Sequence, residues 1–131
     1  MNGLVLDASS VLSWCFEDED SPAPDALIDR VVTTGAIVPA IWSLEVANAL
    51  IVAERKKRIV PEDSAAFIGM IEQLPIAIDS GTASRAFNDT ITLARNHTLS
   101  SYDAAYLELA MREQLPLATN DKQLARAAAH L

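Results

Sequence analysis

The chain has 131 residues, 50% of them hydrophobic and 21% charged, with four glycines and six prolines. This is the size of one globular domain, and the composition excludes a disordered or collagen-like polymer. Eighteen acids against ten bases leave a formal net charge of -8, which excludes a protein that grips nucleic acid through a broad basic surface. A single cysteine, Cys15, excludes an internal disulfide, and the two histidines, His97 and His130, have no spacing for a structural zinc. The longest nearly uncharged stretch, residues 41–53, contains Glu45 and Asn48 and falls short of the about 20 apolar residues that cross a bilayer. The start, Met1-Asn2-Gly3-Leu4-Val5-Leu6-Asp7, lacks a basic segment and meets an acid before an apolar run is complete, so a cytoplasmic protein without a leader peptide is expected.

In chain order, Leu4-Val5-Leu6 reads as a short buried strand ending at Asp7, followed by a helix over 11–16. Glu17-Asp18-Glu19-Asp20 and Ser21-Pro22-Ala23-Pro24 read as a solvated loop before a helix over 26–32. A strand at Ile37-Val38 leads to helices over 41–58 and 63–74, and a strand at 76–78 to helices over 83–96 and 102–113. The strand Leu117-Ala118 and a helix over 122–129 complete the series. Short apolar strands alternating with helices predict a single domain, 1–131, of α/β class: a three-layer sandwich with a parallel sheet of four or five strands between helices. In such sheets a ligand sits beyond the carboxyl ends of the strands, where strand order reverses. Asp7 ends the first strand and Asn120-Asp121 follow the last, so their acids share one rim if those strands are neighbours.

Glu45 is the only charge in 41–53, and a carboxylate in an apolar helix needs a partner or must protonate. Asn48, three residues on, shares its face. Asp103 opens the helix of Ala104-Ala105-Tyr106-Leu107, and Asp121 follows Thr119-Asn120. The plainer reading is that Asp7, Asp103 and Asp121 cap helix N-termini, and that Glu45 faces water on a stripe with Asn48 and Val52. The alternative is one cluster of carboxylates, which would repel itself unless a cation neutralised it. Oxygen ligands without thiol or imidazole select a hard ion, Mg²⁺ or Mn²⁺. Such ions support hydrolysis at phosphorus, which requires no 2′-hydroxyl attack and leaves a 5′-phosphate and a 3′-hydroxyl. Two Mg²⁺ would bring the formal charge from -8 to -4.

The residues carry a family resemblance. Leu4-Val5-Leu6-Asp7-Ala8-Ser9, Glu45-Val46-Ala47-Asn48-Ala49-Leu50, Ser101-Tyr102-Asp103-Ala104-Ala105-Tyr106 and Leu117-Ala118-Thr119-Asn120-Asp121-Lys122 resemble, in order and over nearly the whole chain, the motifs of PIN-domain ribonucleases of the VapC toxin type. The resemblance implies Asp7, Glu45, Asp103 and Asp121 as the acidic, metal-holding and catalytic set, with Ser9, Thr119 and Asn48 in support. It further implies a toxin that cleaves cellular RNA, often transfer RNA, is held inactive by a small antitoxin, and forms a homodimer. Relatives continue into a further strand where this sequence stops at Leu131, so a fifth strand is expected to be absent or truncated.

Arg55-Lys56-Lys57-Arg58 is the one dense basic run. It reads either as a solvated helix end favoured by the dipole or as a phosphate contact for RNA, which Arg85, Arg95, Arg112, Lys122 and Arg126 would extend. Trp14, Phe16, Trp42, Tyr102 and Tyr106 read as core or interface residues, with Trp42 the candidate for partner contact, and Cys15 as a small core residue. Two other functions fit an acidic rim. One is a phosphoacceptor receiver, for which Asp79 is the only mid-chain candidate. The other is a non-catalytic module whose pocket takes a partner's arginine.

Overall fold

The computed structural model describes residues 3–16 and 24–129. Among these residues, β1 (Leu4–Leu6), β2 (Ala36–Val38), β3 (Ile76–Ile78) and β4 (Leu117–Ala118) form one parallel sheet in the order β3-β2-β1-β4. The sequence expectation of a three-layer α/β sandwich with a short parallel sheet holds. The acidic stretch 17–20 and the adjoining 21–23 lie outside the described residues.

Two helices, α1 (Ala8–Cys15) and α2 (Pro24–Thr34), join β1 to β2, while α3 (Trp42–Arg55) and α4 (Pro61–Glu72) join β2 to β3. Between β3 and β4 run α5 (Thr82–Arg85), a π turn (Ala86–Thr90), α6 (Ile91–His97) and α7 (Ser101–Glu113); α8 (Lys122–Ala129) follows β4. The ends of these helices have local chemical causes. Pro61 opens α4, and the Asp63 carboxylate accepts the Val60 N–H at 3.2 Å, satisfying a donor that the helix leaves free. Ser100 Oγ accepts the Asp103 N–H at 3.1 Å to start α7. Gly35, at φ +78°, ends α2 with its N–H on Val31 O at 2.7 Å, a left-handed position that glycine takes without strain.

β1 is the centre of the fold. Leu4, Val5 and Leu6 are at most 1% exposed and pack with Val38, Val46, Leu50, Leu107, Leu109 and Leu124. Truncating such a leucine to alanine costs about 2–5 kcal/mol. Pairing of Val5 with Leu117 and Leu6 with Ala118 makes β1 and β4 neighbours. The chain builds outward from β1 through β2 to β3, then returns to the other side of β1, so strand order reverses beside Asp7.

The structure departs from sequence expectation in three places. The helix expected over 83–96 is split by the π turn, whose wider winding shifts the buried face by one position: Thr90 is buried while Phe87 is 89% exposed. β3 is not a fully buried strand, because as an edge strand it leaves Ala77 and Ile78 exposed. Trp42, expected to face a partner, is 6% exposed and belongs to the core, so its aromatic ring is taken up by internal packing. Tyr102, by contrast, is 62% exposed.

Candidate acidic site at the strand-order reversal

Asp7 sits at the N-cap position of α1, yet its side chain makes no capping hydrogen bond. It is 5% exposed, and a buried carboxylate must find donors elsewhere. Ser9 Oγ donates to Asp7 Oδ2 at 2.8 Å and Thr119 Oγ1 donates to the same oxygen at 2.6 Å. The contacts continue outward: Thr119 Oγ1 accepts the Asp121 N–H at 3.0 Å, and Ser9 Oγ accepts the Asn120 N–H at 3.1 Å. Two loops far apart in sequence, after β1 and after β4, are thereby tied around one carboxylate. Hydrogen bonds to a charged acceptor are each worth about 1.5–3 kcal/mol.

Glu45, in the first turn of α3, accepts a hydrogen bond at 2.6 Å from the hydroxyl of Tyr106, a fully buried residue of α7. Burial raises the Glu45 carboxyl above its ordinary value; the Tyr106 hydroxyl opposes that, and the charges of Asp7 and Asp103 add to it. Asp103, in the first turn of α7, is also raised, by burial and then by Asp121 and Asp7, with Ser100 opposing. Of the four acids expected from the sequence, Glu45 therefore feels Asp7 and Asp103, and Asp103 feels Asp121 and Asp7. The N-termini of α1, α3, α7 and α8 open at this rim, and their partial positive charges offset part of the repulsion. Asp121 also caps α8 as the plainer reading had it, with Oδ1 accepting the Leu124 N–H at 2.8 Å.

Asp7, Glu45 and Asp121 are nevertheless each directed at protein donors, and among the described residues no three Asp, Glu, His or Cys side chains stand close enough to hold an ion together. The fit to a hard dication rests on donor chemistry and charge. The rim offers carboxylates and hydroxyls, and the two raised carboxyls would be relieved by positive charge. Asn48 is exposed, one turn beyond Glu45 on α3.

The basic residues divide. Arg55, Lys56, Lys57 and Arg58 are exposed at and beyond the end of α3, with Arg58 lying 4.7 Å from the centre of the Phe16 ring. Ten residues of helix separate Arg55 from Glu45, about 15 Å at 1.5 Å per residue. Arg95, Lys122 and Arg126 are exposed too. Arg112 is not available to RNA as expected, because its guanidinium is held between two acids. It donates to both Asp79 oxygens at 2.9 and 2.8 Å, and to both Glu108 oxygens at 2.9 and 3.0 Å. Arg85 approaches Glu108 at 3.7 Å. The same pairing removes Asp79 as a phosphoacceptor: it is 9% exposed and clamped by Arg112, and its Oδ2 also accepts the Gly81 N–H at 3.0 Å.

Sequence reasoning read Tyr106 as core or interface and did not place it at the site. The available signal was that a tyrosine three residues after Asp103 shares its helix face, and that a buried hydroxyl needs a partner. Glu108 was likewise passed over, although Glu108 and Arg112 stand four residues apart on one helix.

A family model described as PIN domain matches residues 4–130. Ribonuclease VapC3 of Pyrobaculum aerophilum is 26% identical over 122 residues, covering 93% of this chain and 92% of that one. A crystal structure of a protein from the same organism matches with a TM-score of 0.64 at 20% identity, covering 97% of this chain and 84% of the other, a likeness of fold.

Proposed function

Because this chain belongs to the PIN domain family, we propose that it is a Mg²⁺-dependent endoribonuclease, the toxin of a toxin–antitoxin pair. The name of its relative, a ribonuclease, supports the reaction class. The observation that carries the reading is Asp7, held by Ser9 and Thr119 at the strand-order reversal and sharing its field with Glu45, Asp103 and Asp121.

In this reading Asp7, Glu45, Asp103 and Asp121 hold Mg²⁺, with Mn²⁺ able to replace it. When bound, such an ion supplies positive charge to the scissile phosphate and makes water beside it more acidic. The chain's own residues do the rest. Ser9 and Thr119 fix the rotation of the Asp7 carboxylate, so that the order of the site is established before substrate arrives. Asn48 offers an amide to the approaching RNA. Arg55, Lys56, Lys57 and Arg58 bind phosphates about 15 Å along the strand, a distance set by the rise of α3, and so position the RNA without entering the reaction.

The antitoxin is a small protein that presents an arginine to the same carboxylates, since a guanidinium pairs bidentately with them. Exposed Leu44, Ile51, Ile68 and Met70 on α3 and α4 support a homodimer. Cellular RNA, with transfer RNA as the class implied by the resemblance, is the substrate.

Purified protein free of any antitoxin is expected to cut RNA with Mg²⁺ and to stop on chelation, leaving 5′-phosphate and 3′-hydroxyl ends. A Glu45→Ala protein that cuts at the parental rate, or RNA binding that is as tight with chelator as without it, contradicts the assignment. One observation favours a second reading, that of a non-catalytic module: Asp7, Glu45 and Asp121 already have protein donors. That reading requires the absence of turnover in the same assay.

A further inference from the structure

The Tyr106 hydroxyl is the one polar group of a side chain that is otherwise packed in the core, at 0% exposure. It reaches the acidic rim, donating to Glu45 Oε1 at 2.6 Å. Tyrosine has two side-chain torsions, and here the ring around which they turn is surrounded by core residues. Its oxygen therefore cannot follow Glu45 if the carboxylate rotates, and Glu45 is the partner that conforms. An ordinary buried tyrosine satisfies its hydroxyl on a backbone carbonyl. This one uses a carboxylate that has two acids as charged neighbours, Asp7 and Asp103.

We propose that Tyr106 is a positioning residue for the acidic site: by holding Glu45 Oε1 it fixes the orientation of the carboxylate that would help to hold a divalent cation. The inference rests on the metal reading of the site given above. It assigns Tyr106 no contact with RNA and no proton transfer. Because the hydroxyl comes from α7, which also carries Asp103, one rigid helix orients an acid of its own and an acid of α3.

The test is a cycle of Mn²⁺ titrations by calorimetry, with no RNA present, on the parental protein, Tyr106→Phe, Glu45→Gln and the double variant. Removing a group that orients a metal ligand typically weakens binding by about 10- to 100-fold. A loss in that range is expected for Tyr106→Phe, a loss at least as large for Glu45→Gln, and no further loss in the double variant, because the tyrosine acts through the glutamate. Parental affinity in Tyr106→Phe, or losses that add in the double variant, overturns the inference and leaves the metal reading standing. Parental affinity in Glu45→Gln overturns both.

A second measurement needs no substitution of the tyrosine. The chain has only two tyrosines, so ring-labelled tyrosine gives two sets of NMR signals. Mg²⁺ is expected to shift the Tyr106 set in the parental protein and not in Glu45→Gln. An unmoved Tyr106 set in the parental protein under saturating Mg²⁺ overturns the inference.

Discussion

Replacing Arg112 with methionine removes one guanidinium and strands two acids. Asp79 and Glu108 are 9% and 5% exposed, and between them they receive four hydrogen bonds of 2.8–3.0 Å from that one group. Breaking a buried ion pair from one side costs about 3–5 kcal/mol, because the remaining charge is desolvated without its main partner, and here the Gly81 N–H and Arg85 stay beside the two acids. Against a total stability of roughly 5–15 kcal/mol, this is a large share. For a domain of this length, each kcal/mol corresponds to roughly 3–6 °C in melting temperature, so a drop of about 9–30 °C is expected at pH 7.

The pH dependence separates charge from packing. Hydrogen bonding from Arg112, its charge, the Gly81 N–H and Arg85 together hold the Asp79 carboxyl below its ordinary value against the effect of burial. A depressed acid stabilises the fold above its unfolded value, about 3.9 for aspartate, and that contribution is lost as pH falls through the folded value. In Arg112→Met, acidification instead relieves the stranded carboxylates. The gap between the two melting curves should therefore narrow from pH 7 to pH 4. The triple variant Asp79→Asn, Glu108→Gln, Arg112→Met should regain most of the loss. A gap below about 1 kcal/mol at pH 7, or one that does not change with pH, would refute the reasoning.

Four other outcomes are expected. Asp103→Asn should raise the melting temperature of the metal-free protein at neutral pH, because the raised Asp103 carboxyl marks a charge that the fold disfavours; a lower melting temperature would show that the Asp103 charge is needed for folding. The parental protein should gain about 2.7 kcal/mol from Mg²⁺ at one hundred times its dissociation constant, and differential scanning calorimetry of Asp7→Asn should show most of that gain lost. Thr119→Val should destabilise by about 1–3 kcal/mol, since it leaves buried Asp7 one hydroxyl short; denaturant unfolding with an unchanged midpoint would contradict this. In the same series, neutralising Arg55, Lys56, Lys57 and Arg58 should leave the melting temperature near parental.

The strands at 4–6, 76–78 and 117–118 were legible because their apolar runs are bounded by Gly, Pro or acids, and a run of two or three residues in a parallel sheet leaves little room for error. The last helix was legible in the same way, from its spacing. The π turn was not, since Ala86–Thr90 contains no glycine or proline and the extra residue per turn is settled by tertiary packing. The rim acids could be found as residue types, Asp7 and Asp121 beyond strand ends and Glu45 and Asp103 in the first turns of helices. That Asp121 caps α8 was open to a local reading, but that Asp7 leaves α1 uncapped and that Glu45 turns to Tyr106 depend on hydroxyls 112 and 61 residues away in sequence. Arg112 shows the same limit from the other side. Its helix position suggested a surface cation, and only its contact with an edge strand 33 residues earlier turns it inward.

The knot of Ser9, Asp7 and Thr119 has a consequence for biosynthesis. Asp7 is made first, but the hydroxyl that completes its cradle arrives 112 residues later, on the strand that zips onto β1. A growing chain that has displayed β1, β2 and β3 outside the ribosome still lacks both Thr119 and Asp121. This order delays completion of the acidic rim until translation has passed the fourth strand.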